Sequence, residues 1–189
     1  MNHLGTKVLK TNRLVLRPFK EDDIDDMYRN WTSNDNVTQF LTWPTHSSKE
    51  ITKKVLTEWI SKNDDLENYQ WCIEWKENHQ AIGSFGIVHM EENIHTVEIG
   101  YCIGEEYWNR GITTEAFQAV IQFLFEEVGC NRIYARHDVN NPNSGNVMKK
   151  AGLFYEGTLL EAGKNNRGIC DIVVYGLTKK MYDNKMELD

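Results

Sequence analysis

Residues 94–116, IHTVEIGYCIGEEYWNRGITTEA, decide the fold: they read as a strand carrying one inward charge, a turn, and a helix that opens on bare backbone donors. By period-two alternation Val97, Ile99, Tyr101 and Ile103 share one face, while Glu98, Gly100, Cys102 and Gly104 share the other. The first face is ordinary core. The second offers one carboxylate followed by residues with little or no side chain, so a slender ligand can lie along the strand and reach its N–H and C=O groups. The run Trp108-Asn109-Arg110-Gly111-Ile112-Thr113 then leads into Thr114-Glu115-Ala116-Phe117. Unpaired amides at a helix start attract phosphate. Together these parts point to a long ligand with a pyrophosphate at one end.

Outward from this stretch, the 189 residues fit one domain, 1–189, large enough to bury a core without disulfides. Hydrophobic residues at 40% and charged residues at 26% lie in the globular range, and no apolar run approaches the ~20 residues that cross a bilayer. The opening MNHLGTKVLK lacks the apolar segment of a secretory signal, so a cytoplasmic location is expected. Cys72, Cys102, Cys130 and Cys170 form no C-x-x-C pair, and the histidines show neither H-x-x-x-H nor H-E-x-x-H spacing; free thiols and no catalytic metal are expected. A net charge of −7 disfavours a general nucleic-acid binder and is compatible with a cationic partner. Glu21, Asp22, Asp23, Asp25, Asp26 and Asp35 have only Arg29 as a local counter-charge. They read either as a solvated helix or as an entrance that attracts an amine.

Residues 13–17 alternate as a first strand closed by Pro18, and a helix is expected over 21–31. A polar and aromatic loop punctuated by Trp43-Pro44 precedes a helix capped by Ser47 or Ser48, with Ile51, Val55, Leu56, Trp59 and Ile60 as its core stripe. Residues 70–75, 81–89 and 95–103 read as a meander of three strands. A long helix over 111–127 turns Ala116, Val120, Phe123 and Leu124 inward and ends at Gly129. A fifth strand at 132–136, the turn Asn140-Asn141-Pro142-Asn143, a short helix at 144–150, strands at 154–160 and 170–177, and a frayed Lys-rich tail complete the chain. This order implies an α+β domain with one mixed sheet of about seven strands flanked by helices.

With TNRLVLRPFKEDD at 11–23, VEIGYCIGEEYWNRGITTEA at 97–116 and NPNSGNVMKKAGLFYEG at 141–157, the sequence resembles the GNAT superfamily of acyl-CoA-dependent N-acyltransferases, in its RimJ/RimL branch of ribosomal-protein N-terminal acetyltransferases. The resemblance covers nearly the whole chain and implies a mostly antiparallel sheet in which the fourth and fifth strands splay apart to admit acetyl-CoA. It assigns Ile99, Tyr101, Cys102 and Ile103 to the pantetheine-pairing strand, and Trp108, Asn109, Arg110, Gly111, Ile112, Thr113 and Thr114 to the pyrophosphate loop and helix start. Asn141 would contact the pantetheine arm and Ser144 would sit near the sulfur. The loop departs from the superfamily pattern: Trp108 stands where a Gln or Arg usually opens it, and Thr113 where a Gly or Ala closes it. Trp is common at the first place in this branch. Thr113 adds a Cβ and a hydroxyl where backbone approaches phosphate, so a weaker or rotated seat is expected. Arg110 reads either as a phosphate partner or as a solvated side chain.

The implied reaction is direct acetyl transfer to an amine, with positioning supplying much of the rate. Glu98 reads as the general base, acting directly or through one water, or else as a carboxylate paired with a nearby Lys or Arg. Glu161 is a second candidate base, since the family brings that region near the thioester. An unpaired N–H around Tyr101 or Cys102 would serve the developing oxyanion. Ser144 reads as the hydroxyl that meets the leaving thiol, or as an N-cap of its helix. Tyr155 is offset from the place where many superfamily members carry an acidic Tyr. Cys102 has no neighbouring His to make it a nucleophile, and His137-Asp138 reads as a polar strand end. The acceptor expected is a cationic protein N-terminus of the ribosomal type; a small amine, amino acid or aminoglycoside is the alternative, and a non-catalytic CoA sensor is the rival class. The chain is expected to be a monomer or a homodimer. Neither G-x-x-x-x-G-K-[ST] nor G-x-G-x-x-G occurs, which disfavours a P-loop or Rossmann nucleotide binder.

Overall fold

Leu14 and Leu16 are buried on one face of their strand while Arg17 turns to the other, and that alternation sets the two sides of the sheet. The computed structural model describes residues 1–186. Its strands are β1 (Leu9–Lys10), β2 (Leu14–Arg17), β3 (Gln70–Trp75), β4 (Gln80–Glu91), β5 (Thr96–Ile103), β6 (Arg132–Asp138), β7 (Phe154–Asn165) and β8 (Gly168–Thr178). They pair in the order β1-β2-β3-β4-β5-β6-β8-β7. Every pairing is antiparallel except β5 with β6. The eighth strand, missing from the sequence reading, is β1, whose two residues are too few to show a period.

Helices α4 (Ile112–Phe123) and α5 (Pro142–Ala151) share the larger core with Leu14, Leu16, Phe85, Val97, Ile99 and Ile133. Helices α1 (Ile24–Met27), α2 (Asp35–Thr38) and α3 (Lys49–Ser61) lie with the smaller core, built on Phe19, Met27, Trp31, Leu56, Cys72 and Ala81. The four inward residues read for the long helix are all buried, and past Phe123 it continues as a π-helical turn, Leu124–Val128, to Gly129. Ile51 falls outside its expected stripe at 39% exposure, and Ser48 stands at the N-cap without bonding the helix amides.

The helix expected over 21–31 is three pieces: a 3₁₀ turn at Glu21–Asp23, α1, and a π-helical turn at Tyr28–Thr32. Tertiary bonds break it up. Arg17 grips both oxygens of buried Asp23 at 2.7 and 2.8 Å and reaches Glu74 at 2.5 Å. The Thr32 hydroxyl donates to Met27 O, five residues back, where the helix widens. Asp26 accepts from Arg29 and from Ala81 N, and Asp25 pairs with Lys49. Three of the six acids are thus ion-paired within the fold, which weakens the support for an amine-attracting entrance, while Glu21 and Asp22 stay exposed. The tail is helical rather than frayed: in α6 (Lys179–Met186) the Tyr182 ring lies 5.0 Å from Phe125 and its hydroxyl donates to Glu126. Residues 187–189 of that tail lie outside the described residues.

Candidate active site

The parallel ladder between β5 and β6 has three rungs, Thr96↔Arg132, Val97↔Ile133 and Glu98↔Tyr134, and then stops. Beyond it β5 stays with β4 to Ile103, and β6 stays with β8 to Asp138. The strands diverge, leaving the β6-facing edge of residues 99–103 unpaired within the sheet. A pocket of about 410 Å³ occupies this gap, with Tyr101, Cys102, Gly111, Asn141 and Ser144 among its walls. Gly100 on β5 and Gly104 just past it serve packing rather than ligand clearance: a Cβ at Gly100 would stand 2.7 Å from the Val88 side chain, and one at Gly104 would stand 2.8 Å from Asn30 O.

At one end of the pocket Gly111 is the N-cap of α4, with φ +71° and no side chain capping the helix amides. That backbone turn leaves the first amides of α4 free for an anion. Trp108 donates its indole N–H to Ile103 O at 3.0 Å, which locks the loop to the end of β5. Arg110 lies over the Tyr107 ring at 5.7 Å, while its carbonyl accepts from Arg13. Thr113, 8% exposed, lines the pocket at this end. Asn109, Ile112 and Thr114 also line the pocket.

At the other end, α5 begins at Pro142 with Asn141 as its N-cap, so Ser144 is the third residue of the helix and not its cap. The Ser144 hydroxyl faces Tyr101 Oη at 2.9 Å. Cys102 has Ser84 Oγ 3.3 Å from its sulfur, and burial pushes its thiol up to about 11, which keeps it protonated and poorly nucleophilic at neutral pH. Glu98 is 7% exposed at the vertex where the strands part, on the face of β5 opposite Tyr101. It accepts from Arg136 Nε at 2.8 Å, and burial together with the Glu98 charge pushes the neighbouring Tyr134 phenol up. Of the three catalytic candidates only Ser144 lines the pocket. Glu161 is exposed on a bulge of β7, with φ +50° and its N–H donated to Asp171. Tyr155 is exposed and bonded to Thr158; the Asp138 carboxylate is buried and satisfied by Asn140 and Asn165.

Sequence reasoning missed the wall contributed by Asn36, Gln39, Phe40 and Leu41, and the strap that fixes it. The turn between β7 and β8 crosses to this loop. Asn166 donates its amide N–H groups to Thr38 O and Trp43 O, both at 2.8 Å, and Arg167 lies 5.2 Å over Phe40. A polar-aromatic loop was visible, but nothing local shows that a residue 123 to 128 positions away completes it. Asn166→Ala is expected to cost about 1–2 kcal/mol in urea unfolding.

The model of the family described as "Acetyltransferase (GNAT) domain" matches residues 13–153. The chain belongs to the GNAT acetyltransferase family. Among curated relatives of this GNAT protein, YoaA of Bacillus subtilis, an uncharacterised N-acetyltransferase, is 27% identical over 91% of this chain and 97% of its own. The ribosomal-protein-serine acetyltransferase of Escherichia coli is also 27% identical, over 90% and 96%. The solved structure of RimL, a ribosomal alpha-N-protein acetyltransferase in complex with coenzyme A, superposes with a TM-score of 0.82 at 20% identity, over 93% of this chain and 99% of that one. Among the described residues, no three His, Cys, Asp or Glu side chains are placed to hold a metal ion, and no helix is long and apolar enough to cross a membrane.

Proposed function

We propose that this GNAT acetyltransferase transfers acetyl from acetyl-CoA to the N-terminal α-amine of a protein, of the ribosomal type, in the cytoplasm. The carrying observation is the splay after Glu98↔Tyr134, whose pocket joins the uncapped start of α4 to the Ser144 hydroxyl. The fit is specific: one end offers free amides for a pyrophosphate, the middle a free strand edge for the pantetheine amides, and the far end a hydroxyl for the sulfur. When bound, acetyl-CoA supplies an acetyl thioester, so that the acceptor nitrogen gains the acetyl group, CoA leaves as thiol, and the proton lost by the amine ends on that thiol. Gly111 to Thr114 hold the phosphate end, Asn141 meets the arm, and Ser144 donates to the sulfur. Glu98, on the opposite face of β5, takes the amine proton through water.

Three points favour an N-terminal amine over a polycationic small amine. A model α-amine with a pKa near 8 is roughly one-tenth neutral at pH 7, whereas a lysine-type amine near 10.4 is about one part in a few thousand. The loop wall of Asn36, Gln39, Phe40 and Leu41 is uncharged, and Asp23, Asp25 and Asp26 are engaged elsewhere. The related Escherichia coli enzyme carries a ribosomal-protein name. The test is release of CoA thiol with acetyl-CoA and a panel of N-terminal peptides, polyamines and aminoglycosides. Turnover confined to peptides with a free N-terminus is the expected result; turnover confined to polyamines or aminoglycosides overturns the acceptor, and binding of acetyl-CoA without turnover on any amine overturns the activity.

A further inference from the structure

Tyr101 reaches across the splay from β5 to α5. Its ring is held by Phe85, stacked at 5.0 Å between centroids, and by Phe117 at 5.5 Å. Its hydroxyl therefore stands 2.9 Å from Ser144 Oγ and 3.0 Å from Ser144 O. The phenol and the serine bring one proton each to this arrangement. If the phenol donates to the carbonyl, the serine proton can turn back to the phenol oxygen. If the phenol donates to Ser144 Oγ, the serine proton is free to point into the pocket.

We propose that Tyr101 is a positioning residue for the sulfur end of the site: its phenol donates to Ser144 Oγ and thereby turns the Ser144 proton toward the CoA thiolate. The inference rests on the reading of Ser144 as the sulfur's donor. Three physical facts support the second arrangement when negative charge develops on sulfur. The carbonyl of a residue in the first turn of an α-helix already accepts from the amide four residues on, so it loses little when the phenol turns away. A donor chain ending on an anion polarises along its length, so each bond strengthens the next. Burial holds the Tyr101 phenol well above the ordinary tyrosine range, so it keeps its proton and remains a donor throughout. Neither hydroxyl gives its proton away; both stay neutral, and the thiolate is stabilised by a hydrogen bond until the amine's proton reaches it.

The test reads the thiol of bound CoA directly, by its ultraviolet thiolate absorbance titrated against pH, with the desulfo-CoA complex as the blank for the protein's own cysteines. In the parent, the bound thiol is expected to ionise at lower pH than free CoA. In Tyr101→Phe, which retains the ring and its packing, the bound thiol is expected to ionise about one pH unit higher than in the parent, with kcat reduced about tenfold and the acetyl-CoA KM unchanged. Ser144→Ala is expected to shift the thiol at least as far, and the double variant no further. A Tyr101→Phe complex that titrates like the parent, while Ser144→Ala shifts, overturns the role of Tyr101 alone. A parent-like Ser144→Ala complex overturns the sulfur reading on which it rests. Additive shifts in the double variant mean that Tyr101 acts independently of Ser144, which also overturns the proposal.

Discussion

Glu98→Gln is expected to lower kcat by about a hundredfold, the scale of a lost general base, while leaving acetyl-CoA affinity close to the parent's. The deficit should widen as the pH falls below about 8, because a base matters most when few acceptor α-amines are already neutral. Gln preserves the shape of Glu98 and can still accept from Arg136 Nε, which lies at 2.8 Å in the parent. Arg136 is 44% exposed at its side chain, so water can replace part of what the charge supplied, and the expected stability loss is about 1 kcal/mol or less. The opposing view is that Glu98 and Arg136 merely tie β5 to β6 at the vertex. That view predicts that Arg136→Gln and Glu98→Gln fall alike, in affinity as well as in rate. Calorimetric titration with acetyl-CoA beside kcat measured from pH 6 to 9 separates the two. Loss of rate in Glu98→Gln alone supports the base; matched losses of affinity in both variants sink it.

The elements that frame the site were legible because they are half-buried and locally periodic. Val97, Ile99 and Ile103 bury as the alternation of β5 requires, and Ala116, Val120 and Phe123 bury as the period of α4 requires, with Leu124 buried in the π-helical turn that follows. What the sequence hid is long-range. The segment at 21–32 has helical spacing, yet Arg17 draws Asp23 into a buried ion cluster with Glu74, a residue on another strand. Gly100 looked like room for a ligand and is room for Val88, because the bulge in β4 could not be read from β5. Ser144 looked like a cap because Asn-Pro-Asn-Ser is good capping chemistry at more than one position, and only the helix start at Pro142 decides among them. The strap through Asn166 joins two loops with no shared local pattern. Candidate residues on one strand or one turn could therefore be named, whereas the partners they bond, Tyr101 for Ser144 and Arg136 for Glu98, needed the sheet.

The α4 end of the pocket gives the second large effect. Gly111→Val is expected to weaken CoA binding about ten- to a hundredfold, the scale of one lost hydrogen bond to a charged group, with kcat at saturating acetyl-CoA little changed. Space is not the obstacle, since a Cβ at Gly111 meets only Arg13 Nη2, at 3.7 Å. The obstacle is φ +71°, a left-handed conformation that costs a β-branched residue about 1–2 kcal/mol. The chain can relieve that strain only by rotating the peptide that opens α4, and rotation turns the first amides away from the anion they would hold. Gly111→Ala carries a Cβ without branching, so it should fall between parent and Val in both stability and affinity. Gly111→Asn, which tolerates the left-handed region better, should recover most of the binding. Isothermal titration with CoA across this series therefore tests conformation rather than bulk. Affinity that follows left-handed tolerance, Gly then Asn then Ala then Val, locates the phosphate seat at the start of α4. A flat series with the fold intact moves the seat elsewhere along the pocket, toward the exposed Lys150 at its rim.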